Sequence, residues 1–214
     1  VVATGVYLNA EIIIGSFRQS VGPNGFCRAT SLTASLLALG LPTRRFKTGT
    51  PARIDGKTVD FEKMTVQNGD EELYPFSFMT DGFVPNKRPC YLTYTTQKTK
   101  DIILANLDRS PLFNGSIKSV GPRYCPSIED KVVRFADKER HQIFIEPECA
   151  DTDELYVQGM SSSLPVDVQL EMYHSVIGLE NCKIMRFAYA IEYDCIDPTA
   201  LLPSLQTKAV KGLF

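Results

Sequence analysis

The chain has 214 residues, 43% hydrophobic and 22% charged, an ordinary globular composition with enough length for a sizeable core. A net charge of −2 excludes a surface living by phosphate contact alone, so any nucleic acid must meet a local basic patch. No apolar run reaches the roughly 18 residues of a membrane-spanning helix, and six widely spaced cysteines without a CxxC pair are expected as reduced thiols of a cytoplasmic protein, not disulfides or a zinc site.

Residues 1–4 and 11–14 read as short β-branched strands bounded by Gly5 and Gly15. The chain starts without a methionine, already inside the first of these strands, and at the other end KAVKGLF reads as a strand about to begin, so the sequence is expected to be an excerpt of a longer protein. A polar loop, SFRQSVGPNGFCR, follows the second strand. TSLTASLLALGLP then predicts a short helix capped by Thr30 or Ser31, with Leu32, Leu36 and Leu39 on one face and Gly40 and Pro42 ending it.

From Arg44 the texture changes. RRFKTGTPARIDGKTVDF sets five basic residues among turn formers, and a long polar stretch follows. PCYLTYT alternates like a half-buried strand, and TKDIILANL reads as a helix. The shift suggests a subdomain inserted from about 45 to about 124. Beyond it come a strand, HQIFIEP, and the clearest helix, SSSLPVDVQLEMYHSVIGLE. That helix has Pro165 near its start, Val166, Leu170, Tyr173 and Ile177 on its apolar side, and Gly178 as its stop. KIMRFAYAIEYDCI closes the series as a strand or strand pair. The fold class is mixed α/β (α+β).

In GPRYCPSIEDKVVRF, Cys125 lies just ahead of a helix start, because Ser127 and Asp130 have the spacing of a capping box. The helix N-terminus and Arg123 favour a thiolate, which is how reactive cysteines are made, while Glu129 and Asp130 oppose it. The ordinary use of a free cysteine is as a small buried apolar residue, and the local pattern does not by itself displace that reading. The rest of the charged run, through Arg134 and Arg140, looks like an exposed helix with Asp130 and Arg134 paired. His141 suits packing at a strand start.

The TGTPARID segment reads as a tight loop. Lys47, Thr48, Gly49, Thr50 and Arg53 are candidate contacts for a phosphate, of a nucleic acid or otherwise, against the plainer reading of a solvated loop held by its own hydrogen bonds. It lacks the P-loop spacing, and no GxGxxG occurs in the chain.

The strings KTGTPARID, NLDRSP, GPRYCPSIEDKVVRFADKERHQIFIEPE, SSSLPVDVQLEM and AYAIEYDCIDPT closely resemble the MnmG family, also called glucose-inhibited division protein A. The resemblance runs along the whole chain. It implies part of a Rossmann-like FAD-binding domain in residues 1–44 and 125–214, interrupted by an NADH-linked mixed α/β subdomain at 45–124. It further implies a cytoplasmic, homodimeric flavoprotein, using FAD and NADH, that works on tRNA with a partner GTPase. Such an enzyme adds a carboxymethylaminomethyl or aminomethyl group at C5 of a wobble uridine, drawing on methylenetetrahydrofolate and on glycine or ammonia. The family's NAD-binding stretch falls on Gly121, Pro122, Arg123, Tyr124, Cys125, Pro126, Ser127, Ile128, Glu129, Asp130, Lys131, Val132, Val133, Arg134 and Phe135, and its second important cysteine on Cys125. The FAD fingerprint would precede Val1, and a flavin-contacting serine of the family aligns near Ala29. The alternatives are a tRNA- or cofactor-binding module without chemistry of its own, or a folate-dependent tRNA methyltransferase relative.

Overall fold

The structure, a computed structural model, describes residues 1–82, 88–122 and 125–214. In chain order these form β1 (Glu11–Ile14), β2 (Phe17–Gln19), α1 (Leu32–Ala38), β3 (Thr43–Thr50), β4 (Arg53–Asp55), β5 (Thr65–Gln67) and β6 (Cys90–Tyr94). They continue as α2 (Gln97–Ala105), α3 (Ile128–Arg134), β7 (Gln142–Pro147), β8 (Glu154–Gln158), α4 (Val166–Tyr173), β9 (Ile184–Arg186) and β10 (Tyr189–Ile196). The mixed α/β class expected from the sequence is the one that forms. Among the described residues no helix is long and apolar enough to cross a membrane.

The strands make two antiparallel sheets, one ordered β2-β1-β10-β3 and the other β5-β6-β7-β8-β4-β9. In the smaller sheet β10 runs against the full length of β3, from Tyr189 opposite Thr50 to Ile196 opposite Thr43. The β1–β2 hairpin turns at Gly15, whose φ of +53° puts it in the left-handed region; a Cβ there would lie 2.8 Å from Pro165 Cγ, so only glycine fits. The chain leaves this sheet after Thr50, builds the larger one between Arg53 and Arg186, and returns at Tyr189.

The larger sheet carries the main core. Ile143 and Ile145 on β7 and Leu155 and Val157 on β8 face Ile103, Ile128, Val132, Val168 and Met172 from the four-residue-periodic faces of α2, α3 and α4. Each such side chain, fully buried, stabilises the fold by about 1.5–3 kcal/mol. Strand alternation sends Gln142, Phe144, Tyr156 and Gln158 to the opposite face, where Phe144 and Gln158 are register partners.

Some expectations change. Residues 1–4 form no strand; the Val2 N–H instead donates to the Phe214 carbonyl, joining the two ends. The predicted loop after β1 contains β2. On α1 only Leu36 of the three leucines is buried, and Ser31 occupies the cap position without a side-chain hydrogen bond. On α4 the buried face is Val168, Gln169, Met172 and the expected Tyr173, whereas Val166 and Leu170 are exposed; the helix ends at Tyr173, short of the predicted stop at Gly178, and Ile177 beyond it is exposed as well. The reason is polar: the Gln169 amide reaches into the core to bond Leu164 O (2.8 Å), Ala188 O (2.9 Å) and Ala188 N (2.9 Å), turning the helix toward it. KIMRFAYAIEYDCI does form two strands, but β9 and β10 belong to different sheets.

Candidate functional site

Cys125 sits where the two sheets meet. β3 is an edge strand, and residues approaching Cys125 lie along its open side: the Lys47 N–H donates to Val120 O at 3.1 Å. The Cys125 N–H then donates to Pro122 O at 3.3 Å, and its Sγ lies 3.3 Å from Thr48 Oγ1. The helix start anticipated after it is present. Ser127 Oγ accepts from the Asp130 N–H at 3.2 Å, and Asp130 Oδ2 accepts from the Ser127 N–H at 3.1 Å. The Ile128 N–H donates to Ser161 O, so these amides at the helix mouth are satisfied internally.

The half-buried sulfur lines three cavities. One is a largely enclosed hollow of about 10 Å³ walled by Lys47, Gly49, Ser127 and Ser161–Ser163, the room of a single water. A cleft of about 620 Å³ opens toward Lys131, His141, Phe144 and Tyr156. Another of about 550 Å³ opens toward Lys47, Gly121, Pro122, Arg134 and Phe135. These open clefts have the size of small-ligand sites. The other cysteines differ: burial pushes the Cys182 thiol up to about 11 and raises Cys90 and Cys195, while Cys27 and Cys149 are exposed.

Within the stretch from Gly121 to Phe135, the structure separates cleft from core. Gly121, Pro122, Cys125, Pro126, Ser127, Asp130, Lys131, Arg134 and Phe135 line cavities. Ile128 and Val132 are core residues and Val133 is exposed. Arg123 and Tyr124 lie outside the described residues, and with them the role expected of Arg123 beside the thiol. Lys131 donates to Gly159 O at 3.2 Å, and burial lowers its pKa. Burial also lowers that of His141, helped by Lys131 and Lys100, so its neutral ring is favoured.

Glu129 departs most from expectation. It is wholly buried rather than part of an exposed acidic face. Its Oε1 accepts from Ser162 Oγ at 3.0 Å, the Ser163 N–H at 3.3 Å and Ser110 Oγ at 3.4 Å, while Oε2 has no partner among the described residues. Burial raises its pKa, favouring the neutral acid. Its serine partners are distant in sequence, so no local pattern announces this.

The basic cluster is not one loop. Thr48, Gly49 and Thr50 end β3, and Arg53 begins β4; together they line a separate hollow of about 210 Å³ with Asn24 and Tyr189. Arg53 bonds Glu148 and Thr50 (both 2.5 Å) and stacks 4.5 Å over the Tyr156 ring. Arg44 pairs with Asp197 at 2.5 Å and Arg45 with Asp194 at 2.9 Å. Lys47 faces the other way, into the cavities beside Cys125.

Comparison with known proteins gives a consistent result. The family model described as Glucose inhibited division protein A matches residues 1–214. The tRNA uridine 5-carboxymethylaminomethyl modification enzyme MnmG of Clostridium kluyveri is 60% identical over all of this chain and 34% of its own length. Its counterpart from Caldicellulosiruptor saccharolyticus is 61% identical over the same shares. The solved structure of Aquifex aeolicus GidA in its form I crystal superposes with a TM-score of 0.88 at 50% identity, over 99% of this chain and 36% of that one. The form II crystal gives 0.87 at 47% identity, over 99% and 34%. The chain thus spans about a third of the length of these relatives.

Proposed function

The chain belongs to the glucose inhibited division protein A family, and from that premise we propose that it is the part of a tRNA-modifying flavoenzyme that presents a reactive cysteine to the wobble uridine. The enzyme as a whole uses FAD and NADH, acts as a homodimer in the cytoplasm with a partner GTPase, and builds an aminomethyl-type group on uridine C5. Its added carbon comes from methylenetetrahydrofolate and its nitrogen from glycine or ammonia. The observation carrying this reading is the half-buried Cys125 sulfur, held 3.3 Å from a threonine hydroxyl where two open clefts meet.

The residues at the clefts fit a dinucleotide. Lys131 and Arg134 offer cations, Phe144 and Tyr156 offer faces for a flat ring, and Gly121 and Pro122 leave room for close approach. Such a cofactor, when bound, supplies reducing equivalents. The glycine-rich fingerprint for a flavin is absent from residues 1–214, so we assign no flavin contact within them. The unit proposed as inserted is the six-stranded sheet with α2, α3 and α4. Its limits near Arg53 and Arg186 are wider than the 45–124 span suggested by composition, because strands on both sides of Cys125 share that sheet.

In the chemistry proposed for Cys125, the thiolate Sγ adds to uracil C6. The C5–C6 π pair moves onto the ring carbonyl, which makes C5 a carbon nucleophile. After C5 has bonded to the incoming carbon, loss of the C5 proton and expulsion of Sγ restore the double bond. Thr48 Oγ1, 3.3 Å from Sγ, positions the sulfur for the addition. Cys125→Ser in the full-length protein is expected to abolish wobble-uridine modification, measured by mass spectrometry of tRNA nucleosides, with the fold retained. Normal modification in that variant would remove Cys125 from the mechanism.

A further inference from the structure

Lys47 is only 5% exposed, yet its ammonium makes no hydrogen bond among the described residues. Its nearest counter-charge, Asp130 Oδ2, stands 3.9 Å away, beyond hydrogen-bond reach. That carboxylate is already engaged: Oδ2 accepts from the Ser127 N–H and Oγ, and Oδ1 faces Arg134 at 3.5 Å. With its nearest counter-charge at that distance, the ammonium puts a positive field over the cavities that Lys47 lines. Those surroundings include Cys125, because Lys47 and Cys125 wall the same one-water hollow and the same 550 Å³ cleft.

We propose that Lys47 is a positioning residue that holds Cys125 in its thiolate form by charge across this shared hollow, acting through the sulfur instead of contacting a phosphate. A lysine beside a cysteine is a recognised way of making a thiol reactive. The neighbouring groups leave the effect standing. Asp130 divides its charge among several donors, and Glu129 is favoured in its neutral form. Glu192, opposite Lys47 on β10, accepts from Ser119 Oγ and faces Arg18 at 3.6 Å. Burial keeps the Tyr193 phenol beside Cys125 neutral, while Arg134 adds a further cation on the same cleft. Lys131, on the opposite cleft, points its ammonium at the Gly159 carbonyl. Thr48, adjacent to Lys47 in β3, sets the sulfur's position while Lys47 sets its charge.

This inference rests on reading Cys125 as the reactive group, but its test is independent of turnover. In the full-length protein, the rate at which iodoacetamide labels Cys125 would be followed by peptide mass spectrometry in wild type, Lys47→Gln, Lys47→Met and Lys47→Arg, across a range of pH. Removing the charge is expected to slow labelling at neutral pH by about tenfold and move the rate profile to higher pH, with Lys47→Arg restoring most of the rate. Lys47→Met, apolar and of similar length, repeats the measurement should Lys47→Gln fold poorly. Wild-type rates in the uncharged variants would overturn the proposal. So would a Lys47→Arg protein as slow as Lys47→Gln, since shape and not charge would then be what position 47 supplies. If Cys125→Ser kept tRNA modification, the functional reading would fall while the labelling comparison still decided the part played by Lys47.

Discussion

A carboxylic acid buried among three serines should leave a signature in the pH dependence of stability. The pKa of Glu129 is raised in the folded chain by burial. The sign follows: below the ordinary glutamate value of about 4.3 the acid is neutral in both states, and the native contacts are kept at full strength. As pH rises from there toward the higher folded value, the unfolded chain releases its proton first, so stability is lost. Glu129→Gln keeps an acceptor for Ser162 and Ser163 but cannot ionise. Urea midpoints of the variant should therefore gain on wild type as pH rises from acid to neutral. A difference between the two that stays flat with pH would show that Glu129 ionises no differently in the folded chain.

At the level of elements, α4 is oriented by one polar residue. Gln169 satisfies a carbonyl before the helix and both backbone groups of Ala188 just ahead of β10, so it ties the helix of the larger sheet to the returning strand of the smaller one. Gln169→Leu keeps the volume but strands those groups in the core, where each unsatisfied polar group costs about 1–3 kcal/mol. A loss of roughly 2–4 kcal/mol is expected in denaturant unfolding. A loss below about 1 kcal/mol would mean that other groups or water take over the contacts. The helix period alone pointed to Val166, Leu170, Tyr173 and Ile177 as the inner face, of which Tyr173 is buried and the other three are exposed, since hydropathy gives no weight to a glutamine as a core anchor. The cap of α3 was legible in full, because Ser127 and Asp130 answer each other within one turn.

Across the whole molecule, one continuous segment builds a large sheet and its helices between two strands of a small sheet, and the candidate site lies on the seam. The seam carries clefts and cations, while the glycine-rich flavin fingerprint lies nowhere in residues 1–214. Residues 1–214 expressed alone and mixed with FAD are expected to leave the absorption spectrum of free flavin unchanged. The full-length protein should shift it. A perturbed flavin spectrum with residues 1–214 would relocate the flavin contacts into this chain.

What the sequence by itself determined is local: β1, β6, β7, α2, the capped start of α3, and the glycine that ends α1. Each depends on side chains a few positions apart, and so does the family-specific string around Cys125. Tertiary structure alone decided which sheet each strand joined, that Glu129 is buried, that Lys47 turns away from Arg53, and that Thr48 meets Cys125. Those outcomes depend on pairs such as 48 with 125 and 129 with 162, brought together by burial and strand pairing rather than by any spacing along the chain.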